Sequence, residues 1–207
     1  MLERLRGVAI LGTIVPVLGM FVGCAAAYPQ TPVWDRVHNT TLSLTIGFGS
    51  CSGTAVGKQT ILSASHCFPD GTKLVIASGE ACEIAALIHD GQDHVLVRVT
   101  GCTFKHVAKI GKPAKVGDEV FIWGNPWSFQ DMLRVGRVSG HKDVDWPKIG
   151  KIHVQLSDLH ITNGDSGSAL FNTRGEITSV LSIGTLPFAM AGTFPMRFTR
   201  EQLGMIK

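Results

Sequence analysis

No Cys-x-x-Cys pair and no His-Glu-x-x-His stretch occurs among the 207 residues, so a zinc site lacks its usual spacings. Charge is scarce as well. Only 17% of residues are charged, the formal net charge is +3, and no basic stripe marks the chain as a nucleic-acid binder. There is no internal repeat, no low-complexity tract and no signature that calls for a cofactor. What remains is 44% hydrophobic and holds 24 glycines, a composition that suits an all-β domain or two small barrels rather than a helical bundle.

The first 27 residues stand apart. Glu3, Arg4 and Arg6 are followed by an uncharged run from Gly7 to Ala27 that ends in Ala25-Ala26-Ala27, the pattern of an export signal. Three fates fit: cleavage after Ala27, lipidation at Cys24, or retention as a membrane anchor, since the run is about as long as the ~20 residues a span needs. Each places the remaining domain, 28–207, outside the cytoplasm, and membrane association through this segment stays open. Cysteine usage agrees with export. Beyond Cys24 an even number remains, Cys51, Cys67, Cys82 and Cys102, which points to disulfides with the connectivity left open.

From Thr41 onward, β-rich segments recur at short intervals, as in a barrel or sandwich. Candidates are 41–48, 52–56, 60–64, 73–78, 81–88 and 94–100, then 118–124, 134–140, 151–156, 168–172 and 176–183, with 194–198 as the last strand. The stretch 28–39 reads as a polar, Pro-rich lead-in, and 103–117 as a connector between two β halves. Thr199 and Gln202 have capping-box spacing, which predicts a terminal helix over 200–206.

Two stretches carry chemistry. Thr162-Asn163-Gly164-Asp165-Ser166-Gly167-Ser168 puts a serine on a glycine-flanked turn, where a hydroxyl and unpaired backbone N–H groups can face one space. Ile61-Leu62-Ser63-Ala64-Ser65-His66-Cys67 runs an apolar strand into a histidine beside a cysteine. A Cys51–Cys67 bond would staple Cys51-Ser52-Gly53-Thr54 beside that histidine. Together these motifs resemble the chymotrypsin/trypsin-like serine proteases over roughly 42–206. The resemblance implies two antiparallel six-stranded β-barrels, an active site between them and a protein or peptide substrate. The first barrel then spans about 40–105 and the second about 115–198.

The resemblance assigns Ser166 as nucleophile, His66 as base and Gly164 with Ser166 as oxyanion donors. The acid is a choice among neighbours. Asp93 precedes the alternating strand His94-Val95-Leu96-Val97 and fits the family's pattern, while Asp90 and Asp70 lie close by. A Cys82–Cys102 bond would brace this segment. His160, six residues before Ser166, aligns with the base of the primary specificity pocket, and Ser182-Ile183-Gly184 with the strand that pairs with substrate. No basic residue precedes an Ile-Val-Gly-Gly-like start, so Asp165 needs an internal cation, with Arg134 and Arg137 as candidates. The functional expectation is an exported serine endopeptidase, without a further peptide-binding module. The competing expectation is an inactive, protease-like binding module at the cell envelope.

Overall fold

A computed structural model describes residues 32–129, 131–146, 150–185 and 190–206; the expected export signal, 1–27, lies outside them. Six strands form the first closed barrel: β1 (Thr41–Ile46), β2 (Gly49–Gly57), β3 (Thr60–Ala64), β4 (Leu74–Ala77), β5 (Glu80–His89) and β6 (His94–Thr100), in the order β1-β2-β3-β6-β5-β4. Side chains alternate between faces along a strand, and here both faces of the central strands are apolar. Leu44, Ile61, Val75, Val95 and Val97 fill the barrel. Leu62 and Leu96, each one residue out of step, point the other way.

That outward face meets the second barrel. β8 (Glu119–Gly124), β9 (Met132–Trp146), β10 (Gly150–His160), β11 (Ala169–Phe171), β12 (Glu176–Thr185) and β13 (Met190–Thr193) pair in the ring β8-β9-β10-β13-β12-β11, closed where Phe171 lies opposite Phe121. A short β7 (Lys109–Ile110) adds to β12 in parallel, outside the ring. Val120, Ile122, Val138, Leu159, Leu170 and Leu181 form this barrel's interior. A third cluster spans the two halves, joining Leu62 and Leu96 to Phe121, Phe171 and Ile177. The all-β, double-barrel expectation holds.

Two elements differ from the expectation, and the expected terminal helix is present. The lead-in contains a helix, α1 (Pro32–His38). Proline suits its first turn, and Val37 is buried in the shared cluster with Trp34 packed on Phe121 at 4.3 Å between ring centroids. The last strand is β13, ending at Thr193, whereas 194–198 continues as a strap outside the strands. Its apolar side chains are drawn in by packing: Phe194 is buried, and Met196 and Phe198 lie on the shared cluster. The terminal helix α2 covers Arg200–Gly204, and its capping box closes: Gln202 N–H donates to the Thr199 hydroxyl at 3.1 Å and Thr199 N–H to the Gln202 side chain at 2.8 Å.

Disulfides join Cys51 to Cys67 and Cys82 to Cys102. The first ties β2 to the turn after β3, the turn that carries His66. No helix among the described residues is long and apolar enough to cross a membrane.

Candidate active site

β3 ends in a 3-10 turn, Ser65–Cys67, which turns the His66 side chain out to solvent. Asp93, at the entry to β6, holds it from two directions. Asp93 Oδ1 accepts the His66 backbone N–H at 3.0 Å, and Oδ2 lies 2.8 Å from the ring Nδ1. A carboxylate can only accept, so Nδ1 carries the proton and Nε2 keeps its lone pair. Asp93 is 9% exposed, while the His66 ring remains open to solvent.

A second histidine–aspartate pair lies one strand turn away. Asp90 Oδ2 sits 2.7 Å from Nδ1 of His94, both side chains are fully buried, and Oδ2 also accepts the Arg197 backbone N–H at 2.9 Å. The three aspartates near His66 are therefore distinguished by geometry: Asp93 faces His66, Asp90 faces His94, and Asp70 is exposed in the loop after Cys67. Burial alone would raise the Asp90 pKa, but the hydrogen bond and charge of His94 and the N–H groups of Arg197 and Gln92 outweigh it and hold it below 3.8. A carboxyl with a lowered folded-state pKa stabilises above its unfolded value and loses that contribution as pH falls through the folded one. Urea midpoints are accordingly expected to drop more steeply below pH 3.8 in the parent than in Asp90→Asn; equal slopes would remove Asp90 from the acid response.

Ser166 comes from the second barrel, on the loop between β10 and β11. Its turn is pressed against the first barrel. The Ser166 carbonyl accepts the Ser52 N–H at 2.7 Å and lies 3.8 Å from the Cys67 sulfur. Gly167 has φ +86°, and a Cβ there would collide with the Ser52 carbonyl and the Ser63 hydroxyl, so only glycine permits this approach. The serine turn thus sits beside the residue that follows His66.

The backbone around Ser166 is fixed on the other side by a loop that sequence reasoning overlooked. Trp127 N–H donates to the Asn163 carbonyl at 2.7 Å, the Ser52 hydroxyl donates to the Gly164 carbonyl at 2.9 Å, and the Asn125 amide donates to Ser52 Oγ at 3.1 Å. With the Asn163 carbonyl held by Trp127, the N–H of Gly164 across the same peptide points the opposite way. Neither Gly164 N–H nor Ser166 N–H has an acceptor among the described residues. Gly124-Asn125-Pro126 has the turn chemistry that could have signalled this loop, but nothing local reveals what it docks against.

Beneath the turn, Asp165 is fully buried and forms a two-pronged ion pair with Arg134. One guanidinium nitrogen donates to Oδ2 at 2.6 Å, the other to Oδ1, and Thr162 N–H adds a 2.9 Å bond. Arg137 is exposed and turned away, donating to the Gly117 carbonyl at 2.9 Å. Of the two candidate cations, Arg134 is the partner. The same guanidinium donates to the His160 carbonyl at 3.0 Å, while the His160 residue itself is exposed. Ser182 is buried and Gly184 exposed on β12; Ile161 reaches to 3.2 Å from where a Gly184 Cβ would lie. Above Leu181, β12 pairs with β13 on one side only among the described residues, leaving an edge open to an added strand.

Two six-stranded barrels meeting at a His–Asp pair and a Gly-Asp-Ser-Gly turn define a chymotrypsin-like fold of the serine-protease class. The profile of the trypsin-like peptidase domain family matches residues 51–180, and the chain belongs to that family. It is 28% identical over 159 residues to a probable periplasmic serine endoprotease DegP-like from Pseudomonas putida, covering 74% of this chain and 32% of the relative. It is 27% identical over 141 residues to the serine endoprotease DegS of Haemophilus influenzae, covering 64% of this chain and 42% of the relative. The chain therefore spans well under half the length of these two relatives. Among solved structures, the active form of the Rv3671c protease from M. tuberculosis superposes with a TM-score of 0.72 at 16% identity, covering 84% of each chain. That likeness concerns the fold.

Proposed function

We propose that the chain is an exported serine endopeptidase that cleaves protein or peptide substrates through an acyl-enzyme, with His66, Asp93 and Ser166 as the catalytic groups. The carrying observation is the His66–Asp93 hydrogen bond of 2.8 Å, made at the position where the Ser166 turn docks on the first barrel. Ser166 Oγ bonds to the substrate carbonyl carbon while its proton passes to His66 Nε2. Collapse of the tetrahedral adduct breaks the C–N bond, and the amine leaves with that proton. Water then attacks the ester, Nε2 takes its proton, and Ser166 is released with the proton returned to Oγ.

The free N–H groups of Gly164 and Ser166 would hold the oxyanion; one such donor is typically worth about 2.7–4 kcal/mol. The open edge at Ser182-Ile183-Gly184 would pair with the substrate backbone before the scissile bond. His160 would lie at the base of the primary pocket, as the family resemblance implies. Export is supported by the leader pattern of 1–27, by two disulfides in the domain, and by the periplasmic description of the DegP-like relatives.

A fluorophosphonate probe is expected to label Ser166 in the folded protein, and Ser166→Ala to remove the label. A cooperatively folded parent that takes no label would overturn the enzyme reading in favour of an inactive binding module. The peptide fragments of a digested library then report the residue preferred before the cut.

A further inference from the structure

A cavity of about 290 Å³ lies at one end of the second barrel, between the connector before β8, the barrel strands and the C-terminal strap. None of His66, Asp93 and Ser166 lines it. One wall is apolar, built from Ile110, Pro113, Phe194, Met196, Phe198 and Leu203. The other is polar, and three of its polar atoms lack partners. Gln155 Nε2, Ser179 Oγ and Thr193 Oγ1 are buried without a hydrogen bond, on residues that are 9%, 5% and 1% exposed.

Strand register explains why these groups converge. Gln155 lies directly opposite Thr193 on β13 and His141 on β9, so the three side chains leave the sheet on one face. His153, two residues before Gln155, shares that face, and its ring stacks on His141 at 4.9 Å between centroids. Buried amide and hydroxyl groups are ordinarily paired. Three that are not, in one cavity, call for a common occupant.

The lining limits what that occupant is. No Lys, Arg, Asp or Glu lines the cavity, so an ionised head group would meet no fixed counter-charge and would be costly to bury. The space is about twice that of an apolar cavity of roughly 150 Å³ known to hold benzene. We propose that this cavity is a binding site for a small neutral amphiphile of about ten to twelve non-hydrogen atoms. Its carbonyl accepts from the Gln155 amide and the Thr193 hydroxyl, which face each other across the ladder, a polar hydrogen of the ligand donates to Ser179 Oγ, and its apolar body lies against the strap. Such a ligand joins the connector, the second barrel and the C-terminal strap, and it does so independently of the peptidase reading.

The probe is N-propylbenzamide, titrated into the full chain, with propylbenzene and 4-propylbenzoate as comparisons. Saturable binding of the amide is expected to shift the His141 and His153 ring resonances and to raise the melting temperature with concentration. Propylbenzene, without the polar group, is expected to bind about a hundredfold more weakly, the scale of several lost hydrogen bonds. Gln155→Leu and Thr193→Val should each weaken the amide about tenfold, the scale of one. Met196→Trp, which fills the cavity from its apolar wall, should abolish binding even if the polar variants fail to fold, and Ser166→Ala should leave it unchanged. The proposal fails if the amide does not saturate, if 4-propylbenzoate binds most tightly, or if ordered waters bridge Gln155, Ser179 and Thr193 and the amide does not displace them.

Discussion

Asp93→Asn is expected to lower turnover about ten-thousand-fold while leaving the fold intact. The substituted side chain keeps an oxygen that can accept the His66 backbone N–H, a bond of 3.0 Å in the parent, so the turn after β3 has no reason to open. The second position changes sign. An amide NH₂ facing Nδ1 is a donor where the carboxylate was an acceptor, so the ring turns its lone pair inward and carries its proton on Nε2. In that tautomer His66 cannot take the Ser166 proton. Asp90→Asn is the matched comparison, because Asp90 makes the same kind of contact with a histidine that is wholly buried. Its kcat/KM is expected to stay within a few-fold. Steady-state kinetics on both variants, with melting curves to show that each is folded, decides the matter. A large loss in Asp90→Asn and a small one in Asp93→Asn would reverse the proposed roles.

Arg134→Met should produce the second large effect, on stability and chemistry together. Asp165 is fully buried, and without the guanidinium it retains the Thr162 N–H and no opposite charge. Removing one partner of a buried pair typically costs about 3–5 kcal/mol, because the other charge stays buried and uncompensated. Asp165 lies between the two proposed oxyanion donors, so loosening it moves both, and fluorophosphonate labelling should slow along with the fall in urea midpoint. Arg134→Lys is expected to recover only part of each, since an ammonium cannot supply two parallel N–H donors. Arg137→Met, at an exposed guanidinium, should be close to neutral. The site leaves little room for relaxation. A Cβ at Gly124 would meet both the Asp165 carboxylate and the Arg134 guanidinium. A parent-like midpoint in Arg134→Met would show that Asp165 is neutralised some other way.

The parts of this protein that were legible in its sequence are those whose signal is local. Val95, Val97 and Val99 alternate, so β6 announces itself; Thr199 and Gln202 sit at capping-box spacing, so α2 does too. The Gly-Asp-Ser-Gly turn and the Ser-His-Cys turn carry their chemistry in a few adjacent residues. Other elements take their form from distant partners. Helix α1 is short and its buried face is narrow, Val37 with the flanking Trp34, so the proline at its start dominates the pattern. β9 runs past the expected 140 because residues 141–145 form a mostly exposed hairpin arm without apolar alternation. The strap 194–198 is apolar enough to pass for a strand, and its side chains are drawn into the core clusters instead. The supports of the serine turn were the least legible. The Ser52 hydroxyl meets the Gly164 carbonyl across 112 positions, and the turn signal of Gly124-Asn125-Pro126 does not reveal that Trp127 meets Asn163.

The cluster shared by the two barrels has a consequence for how the molecule is made. Leu62 and Leu96 are completed by Phe121, Phe171 and Ile177, and the last of these emerges roughly 80 residues after Leu96. At about 5–20 residues per second, the first half of the chain waits on the order of 4–16 s with an unpartnered greasy face. A nascent chain in that interval is a target for aggregation and for holding factors, and neither half is expected to persist alone if the gene is split between β6 and β8.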